Sequence, residues 1–242
     1  MWSWVNRAVD ALGEKLFPSV CVGCRAVVAR GALPICDGCE ETIEKVDGSC
    51  CRVCARRYVS GASVVCGACT SSRPAFARAT AFSVHGGAVG EAIARFKYGG
   101  EESLARALGA LARTAIDWGG DGGTFDCVVP VPLHLRRLRA RGFNQAALLA
   151  THLGLRGVRV FSRALLRVRD TPPQAGLSAR ERRANVAGAF RIRPGCDWAV
   201  VGAQVLLVDD VFTTGSTANE CARVLVDAGA ARVSVAVVSR AE

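Results

Sequence analysis

The chain has 242 residues, half of them hydrophobic, and a formal net charge of +10. That length accommodates one large domain with a small appendage, because a single core commonly serves about 100 to 200 residues, and the apolar content predicts a folded chain. No apolar run approaches the roughly 20 residues of a membrane-spanning helix, and the N-terminus lacks the basic-then-apolar pattern of a secretory signal, so a soluble cytoplasmic protein without a transmembrane segment is expected.

Residues 1–18 come first. Trp2, Val5, Val9, Leu12 and Leu16 recur at three- and four-residue steps and predict an amphipathic helix with one apolar stripe. Its polar face carries mixed charge rather than a lysine band, so the stripe is expected to cover its own protein rather than a membrane.

Residues 19–75 hold most of the cysteines. Eight of the twelve form four CxxC pairs, Cys21/Cys24, Cys36/Cys39, Cys51/Cys54 and Cys66/Cys69, with eleven residues between one pair and the next. A CxxC turn aims two thiolates at one tetrahedral ion, so four knuckles imply two structural zinc ions, each saturated by four thiolates and closed to substrate. Two pairings satisfy the spacing, two ribbons in series or an interleaved arrangement. Cys50 abuts Cys51 and is a competing ligand, although only Cys51 keeps the CxxC register. Disulfides would use the same residues, but the expected cytosolic setting disfavours them. The module has few large apolar side chains and is expected to need metal to fold. Counting ten Lys and Arg against seven Asp and Glu in residues 1–80, and two anionic zinc centres, it is close to neutral, which weakens any direct grip on DNA.

From residue 80 onward the pattern becomes α/β. Strands are predicted over 80–84, 126–131, 158–161, 205–208 and 232–238, and helices over 88–98, 104–117, 144–153 and 216–228. This alternation predicts a mainly parallel sheet flanked by helices, with ligands beyond the carboxyl ends of the strands. The segment 205–217, VLLVDDVFTTGST, is the most informative. Four apolar residues make a buried strand, Asp209 and Asp210 emerge at its end, and a small turn opens a helix. The amides of residues 213–217 suit a dianionic phosphate at the positive end of that helix. Thr213, Thr214, Ser216 and Thr217 add hydroxyl donors, Gly215 permits close approach, and the two aspartates can accept hydrogen bonds from sugar hydroxyls.

Upstream, VPVP at 129–132 ends a strand in prolines, which stop the ladder and stiffen its exit. Arg141 offers a fork for phosphate oxygens, and Asn144 and Gln145 stand at a predicted helix start. Cys127, Cys196 and Cys221 are expected to fill core or to have no role. Between residues 134 and 193, fourteen arginines face only Asp170 and Glu181, a concentrated field that attracts polyphosphates or nucleic acid. Phe143, Phe161 and Phe190 are the only aromatics in that stretch, so base stacking has little support there.

Segment 205–217 resembles the motif of type I phosphoribosyltransferases that binds 5-phosphoribosyl-1-pyrophosphate (PRPP). With the four knuckles, FKYGG at 96–100, VPVPLH, RGFNQA and TPPQ with a later RxxNV, nearly the whole chain resembles the ComF family of competence-associated proteins. The resemblance implies a type I phosphoribosyltransferase fold behind a double zinc ribbon, PRPP with Mg2+ as ligand, and a role with DNA-uptake proteins and single-stranded DNA in natural transformation. It implies Asp209 and Asp210 as catalytic, ribose-holding acids. It further implies a pyrophosphate loop of Pro130, Val131, Pro132, Leu133 and His134 aided by Arg141 and Lys97. A flexible hood would carry Thr171, Gln174, Arg182 and Asn185. FKYGG departs from the Gly-Asp common in relatives, with Glu101 and Glu102 following. The resemblance leaves open whether PRPP is turned over, and onto which acceptor.

Overall fold

The computed structural model describes residues 19–29, 33–46, 48, 50–57, 64–119, 124–172 and 178–242. The N-terminal helix and Gln174 lie outside them.

Two short helices belong to the cysteine module, α1 (Asp37–Glu40) and α2 (Gly67–Ser71). The order then runs β1 (Arg78–Val84), α3 (Gly87–Tyr98), α4 (Leu104–Trp118), β2 (Cys127–Pro130), α5 (Leu135–Arg141) and α6 (Gln145–Thr151). It continues with β3 (Arg159–Val160), β4 (Leu165–Arg167), α7 (Ala179–Val186), β5 (Phe190–Ile192), β6 (Gln204–Phe212), α8 (Ser216–Asp227) and β7 (Arg232–Arg240). Five strands make one parallel sheet in the order β1-β7-β6-β2-β3, while β4 and β5 form a separate antiparallel pair.

The sheet is parallel because helical crossovers connect its strands, and it is covered on both faces. Alternation along the strands sorts the core into two halves. Val205, Leu207, Val233 and Val235 face α8 and the β4–β5 pair, whereas Leu206, Val208, Ala236 and Val238 face α3, α4 and α6. Residues from the carboxyl ends of β2 and β6 therefore gather at one rim, where the candidate site lies.

Five elements differ from the sequence reading. Helix α5 starts directly after VPVPLH, whose last residue caps it, the His134 side chain accepting the Arg136 N–H. Helix α7 occupies the stretch expected as a flexible hood; it starts on a capping box in which Ser178 and Glu181 satisfy each other's backbone N–H groups. Strands β4 and β5 and the 3-10 turn Asp197–Ala199 are short enough that their periodicity is invisible.

The two ribbons repeat with a thirty-residue offset. Val20 bridges Val27 and Cys50 bridges Arg57, and the left-handed residues are Arg25 in the first ribbon and Ala55 in the second. The first ribbon packs Val22 and Ile35 into the core half beneath α3 and α4, and the second packs Cys51 and Cys54 into the opposite half near Phe76. Between them the chain runs antiparallel to β1. Val46 N–H donates to the Phe82 carbonyl at 3.0 Å, and Val84 N–H donates to the Glu44 carbonyl at 2.8 Å. The module thus straddles and closes the β1 edge of the sheet, which would otherwise expose unpaired backbone groups. The apolar surface it lacks internally is supplied by the larger domain.

Candidate functional site

Each ribbon brings four sulfurs together. Cys21, Cys24, Cys36 and Cys39 form one group and Cys51, Cys54, Cys66 and Cys69 the other, with all ligand atoms of a group within 4.8 Å of one another. The ribbons are therefore in series. Cys50 stands outside its group because it occupies the bridging position held by Val20 in the first ribbon. Backbone geometry repeats: Cys36 N–H donates to Cys21 Sγ at 3.3 Å and Cys66 N–H to Cys51 Sγ at 3.2 Å. Burial works to raise the Cys21 thiol, but backbone N–H groups from Cys36, Cys24 and Gly23 prevail and lower it to about 6. Its neighbour Cys39 is pushed up to about 12 by burial and by the other three sulfurs. Four sulfurs so close cannot all ionise without a cation between them, and the donor set fits tetrahedral zinc. Two four-cysteine centres accommodate two structural zinc ions.

At the strand rim a cavity of about 450 Å3 opens between the ends of β2 and β6, α3, and the starts of α6 and α8. Asp209 and Asp210 line it, as do Thr213, Gly215 and Thr217 of the following turn. Gly215 is left-handed, with φ 78°, and caps α8. A side chain there would strike the Phe212 ring, so glycine is dictated by backbone and packing together. Thr214 and Ser216 do not line the cavity; their hydroxyls bond each other at 2.8 Å.

Lys97 stands in the last turn of α3. Its stem is largely buried, and Nζ pairs with Asp210 Oδ1 at 2.8 Å inside the cavity. Burial works against the ammonium, but the Asp210 carboxylate outweighs it and holds the lysine above its ordinary pKa. Asp209 accepts the Asp210 N–H at 2.9 Å. Burial first, then the Asp210 charge, raises Asp209 to about 7 against the opposing pull of Lys97. His85 also lines the cavity and bonds Ser239 at 2.8 Å. Burial and the Lys97 charge lower its pKa, with Asp210 opposing.

The opposite wall is cationic. Arg137, Arg141, Arg167 and Arg182 all line the cavity. Arg137 and Arg167 converge on Thr171, one donating to its carbonyl and the other to its hydroxyl. Burial and the neighbouring Arg137 both work against the Arg167 charge. Two donors in this wall, Arg167 Nε and Gln145 Nε2, are buried and have no hydrogen-bond partner among the described residues. Asn144 caps α6 and ties it to the loop through its bond to the Val131 carbonyl at 3.1 Å. Arg141 lies over the Tyr98 ring and donates to Gln145 at 3.1 Å.

Of the loop expected to hold pyrophosphate, Val131, Pro132 and Leu133 line this cavity. Pro130 ends β2 behind them, and His134 is turned away, its Nδ1 lying 3.6 Å from Asp170 at the cap of α5. In the expected hood Arg182 reaches the cavity, Thr171 holds the two arginines, and Asn185 donates to the Pro172 carbonyl at 3.1 Å. Sequence reasoning does not single out Arg137, Arg167 or His85. Nothing local sets the two arginines apart from the rest of the basic segment as RGFNQ does Arg141, and no local pattern marks His85.

Fold and site define a double zinc ribbon built onto a parallel α/β domain. Residues 12–70 match the double zinc ribbon domain. The chain is 32% identical over 222 residues to the DNA utilization protein YhgH of Escherichia coli, covering 90% of this chain and 95% of the relative. It is 29% identical over 225 residues to competence protein F of Haemophilus influenzae, covering 91% and 96%. It is 27% identical over 208 residues to competence protein ComFC of Bacillus subtilis, covering 81% and 80%. The chain belongs to the ComF family. Among solved structures, the glutamine PRPP amidotransferase of B. subtilis overlaps 55% of this chain and 26% of its own, at 20% identity and a TM-score of 0.37. No helix among the described residues is long and apolar enough to cross a membrane.

Proposed function

We propose that the strand-rim cavity binds PRPP or a closely related phosphosugar, in a cytoplasmic protein that serves DNA uptake and handles single-stranded DNA. The observation that carries the reading is the pair of buried donors, Arg167 Nε and Gln145 Nε2, that lack a partner among the described residues, in a wall with three further arginines. A buried donor without an acceptor costs about 1–3 kcal/mol, and a phosphoryl oxygen arriving there recovers it. In this reading Asp209 and Asp210 accept from the ribose hydroxyls, and the turn at 213–217 holds the 5-phosphate. Arg137, Arg141 and Arg167 take the diphosphate. The relatives' names, DNA utilization and competence proteins, support the setting.

Magnesium, expected with the diphosphate, finds no ready site in the carboxylate pair, because Lys97 already holds Asp210 and the Asp210 N–H takes an oxygen of Asp209. It is proposed only as a companion of the ligand, and no step depends on it.

Calorimetric titration of PRPP into the zinc-replete chain tests the reading. Saturable binding is expected, weakened about tenfold or more by Arg167→Gln or Asp210→Asn, since hydrogen bonds to charged groups contribute about 1.5–3 kcal/mol. No heat and no competition by inorganic pyrophosphate would end it.

A second reading, transferase turnover, is favoured by an adjoining, largely apolar cavity of about 750 Å3 that shares Pro132, Leu133, Asn144 and Arg167 with the first. It offers room for an acceptor. Catalysis would then rest on positioning and on arginine stabilisation of departing pyrophosphate. Pyrophosphate release with candidate amines or bases, lost in Asp210→Asn, would support it; tight binding with no release would not.

A further inference from the structure

Nucleic-acid stacking finds little support in the sequence because aromatics are sparse within the basic segment. Folding changes the inventory. Trp198 lies beyond that segment, yet its ring meets Phe161 at 5.4 Å and 85°, edge to face. It is 67% exposed, whereas the core rings of Phe82 and Phe96 are fully buried. The pair borders a small cavity of about 220 Å3 that also takes in Ser162 and Arg163, just past strand β3 at the open edge of the sheet.

The charge around it is mainly positive. Arg159 and Arg163 flank Phe161 on the same stretch of chain and are exposed, and Arg193 is held against that stretch by donating to the Arg163 carbonyl at 2.9 Å. Asp197 is the neighbouring carboxylate, and it is exposed. Ser162 and Arg163 also line the apolar cavity described above, together with Arg191 and Arg193, and that cavity in turn shares Arg167 with the phosphosugar site. The intervening cavity therefore places Arg163, Arg191, Arg193 and Arg167 between the aromatic pair and the candidate phosphate cradle.

We infer that this face binds a single-stranded nucleic acid, with a base stacked on Trp198 and the backbone phosphates on Arg163 and Arg193. A large exposed indole, steadied by a second ring and flanked by guanidinium groups, fits a flat base and its phosphate at once. A duplex hides its base faces and offers only the phosphates. A protein partner would be expected to bury an apolar patch centred on charge-poor surface, which the surrounding arginines do not provide. The inference rests on the single-stranded-DNA part of the proposed function and gives it a place; Trp198 does not line the phosphosugar cavity, so the two sites can fail separately.

The test is fluorescence anisotropy of a labelled oligothymidylate against the zinc-replete full chain across a salt series, with PRPP titrated in parallel. Trp198→Ala is expected to weaken oligonucleotide binding roughly five- to a hundredfold, the range of one lost base–aromatic stack, while Trp198→Phe retains most of it. The joint Arg163→Gln, Arg193→Gln variant is expected to flatten the slope of log affinity against log salt by about 1.4, or about 0.7 per phosphate contact. PRPP affinity should be unchanged by Trp198→Ala. Because Trp198 is mostly exposed, that variant should fold; a melting curve checks this, and oligonucleotide quenching of the fluorescence that the parent chain has and Trp198→Ala lacks gives a second readout. Equal affinity of Trp198→Ala and the parent chain, a duplex bound as tightly as the single strand, or absence of quenching would each overturn the assignment. Loss of PRPP binding alone would instead strike the phosphosugar reading and leave this one standing.

Discussion

Gly215→Ala tests the turn on which the phosphosugar reading depends. The native φ is 78°, and a left-handed conformation costs a residue with a Cβ about 1–2 kcal/mol. The added methyl would also fall against Phe212, within 2.9 Å of Cε1. That ring is not free to swing, since it packs edge to face on Phe76 at 5.8 Å and lies beneath Arg240 at 5.0 Å. Overpacking of this kind costs a further roughly 1–3 kcal/mol. A control separates the two contributions. Gly142 has φ 83° and nothing within 4 Å of where an alanine Cβ would stand, so Gly142→Ala carries the backbone cost alone. For a chain of this size each kcal/mol lowers the melting temperature by about 2–4 °C, so Gly215→Ala should melt roughly 2–12 °C below Gly142→Ala in differential scanning calorimetry. Its PRPP affinity should also fall at temperatures where it remains folded. Equal melting temperatures for the two variants would refute the packing argument, and full PRPP affinity in Gly215→Ala would refute the link between this turn and the ligand.

Two further outcomes concern the metal centres and Asp209. With the ribbons in series, the Cys24→Ser, Cys36→Ser double variant should retain one zinc per chain on titration of metal released by thiol modification; an interleaved pairing would lose both. Asp209, raised to about 7 by burial and by Asp210, gives a pH signature. Between about pH 4 and 7 the native carboxyl keeps a proton that the unfolded chain has released, so stability falls as pH rises through that window, by at most about 1.4 kcal/mol per unit. Asp209→Asn should remove that contribution in paired melts across the window, whereas PRPP affinity of the parent chain should weaken as the pH drops below about 7 and the acceptor becomes neutral. An unchanged stability–pH profile in Asp209→Asn would dismiss the shifted carboxyl.

Much of the site is legible in the sequence because its chemistry is local. The run VLLV followed by two acids and a small turn reads as a buried strand delivering carboxylates to a helix start, and all of it lies within thirteen residues. The knuckles are equally local, since CxxC fixes two sulfurs on one turn. Sequence assigns Lys97 to the site but not its surroundings, because its partner Asp210 is 113 residues away and nothing near Lys97 names it. Position after VPVP draws His134 into the expected loop, yet a helix begins there and spends its ring nitrogen on a cap.

Residue order alone settled the parallel α/β architecture, the eight metal-binding cysteines and the acidic strand end, because short-range periodicity and spacing encode them. Long-range packing decided the rest. It paired the knuckles in series and set the two ribbons on opposite faces of one sheet edge. It added Arg137 and Arg167 to the two arginines the sequence singles out for the cavity wall, and carried Trp198 to Phe161. Such choices depend on which distant segments bury the same apolar surface, and that competition is resolved only when the whole chain closes around its core.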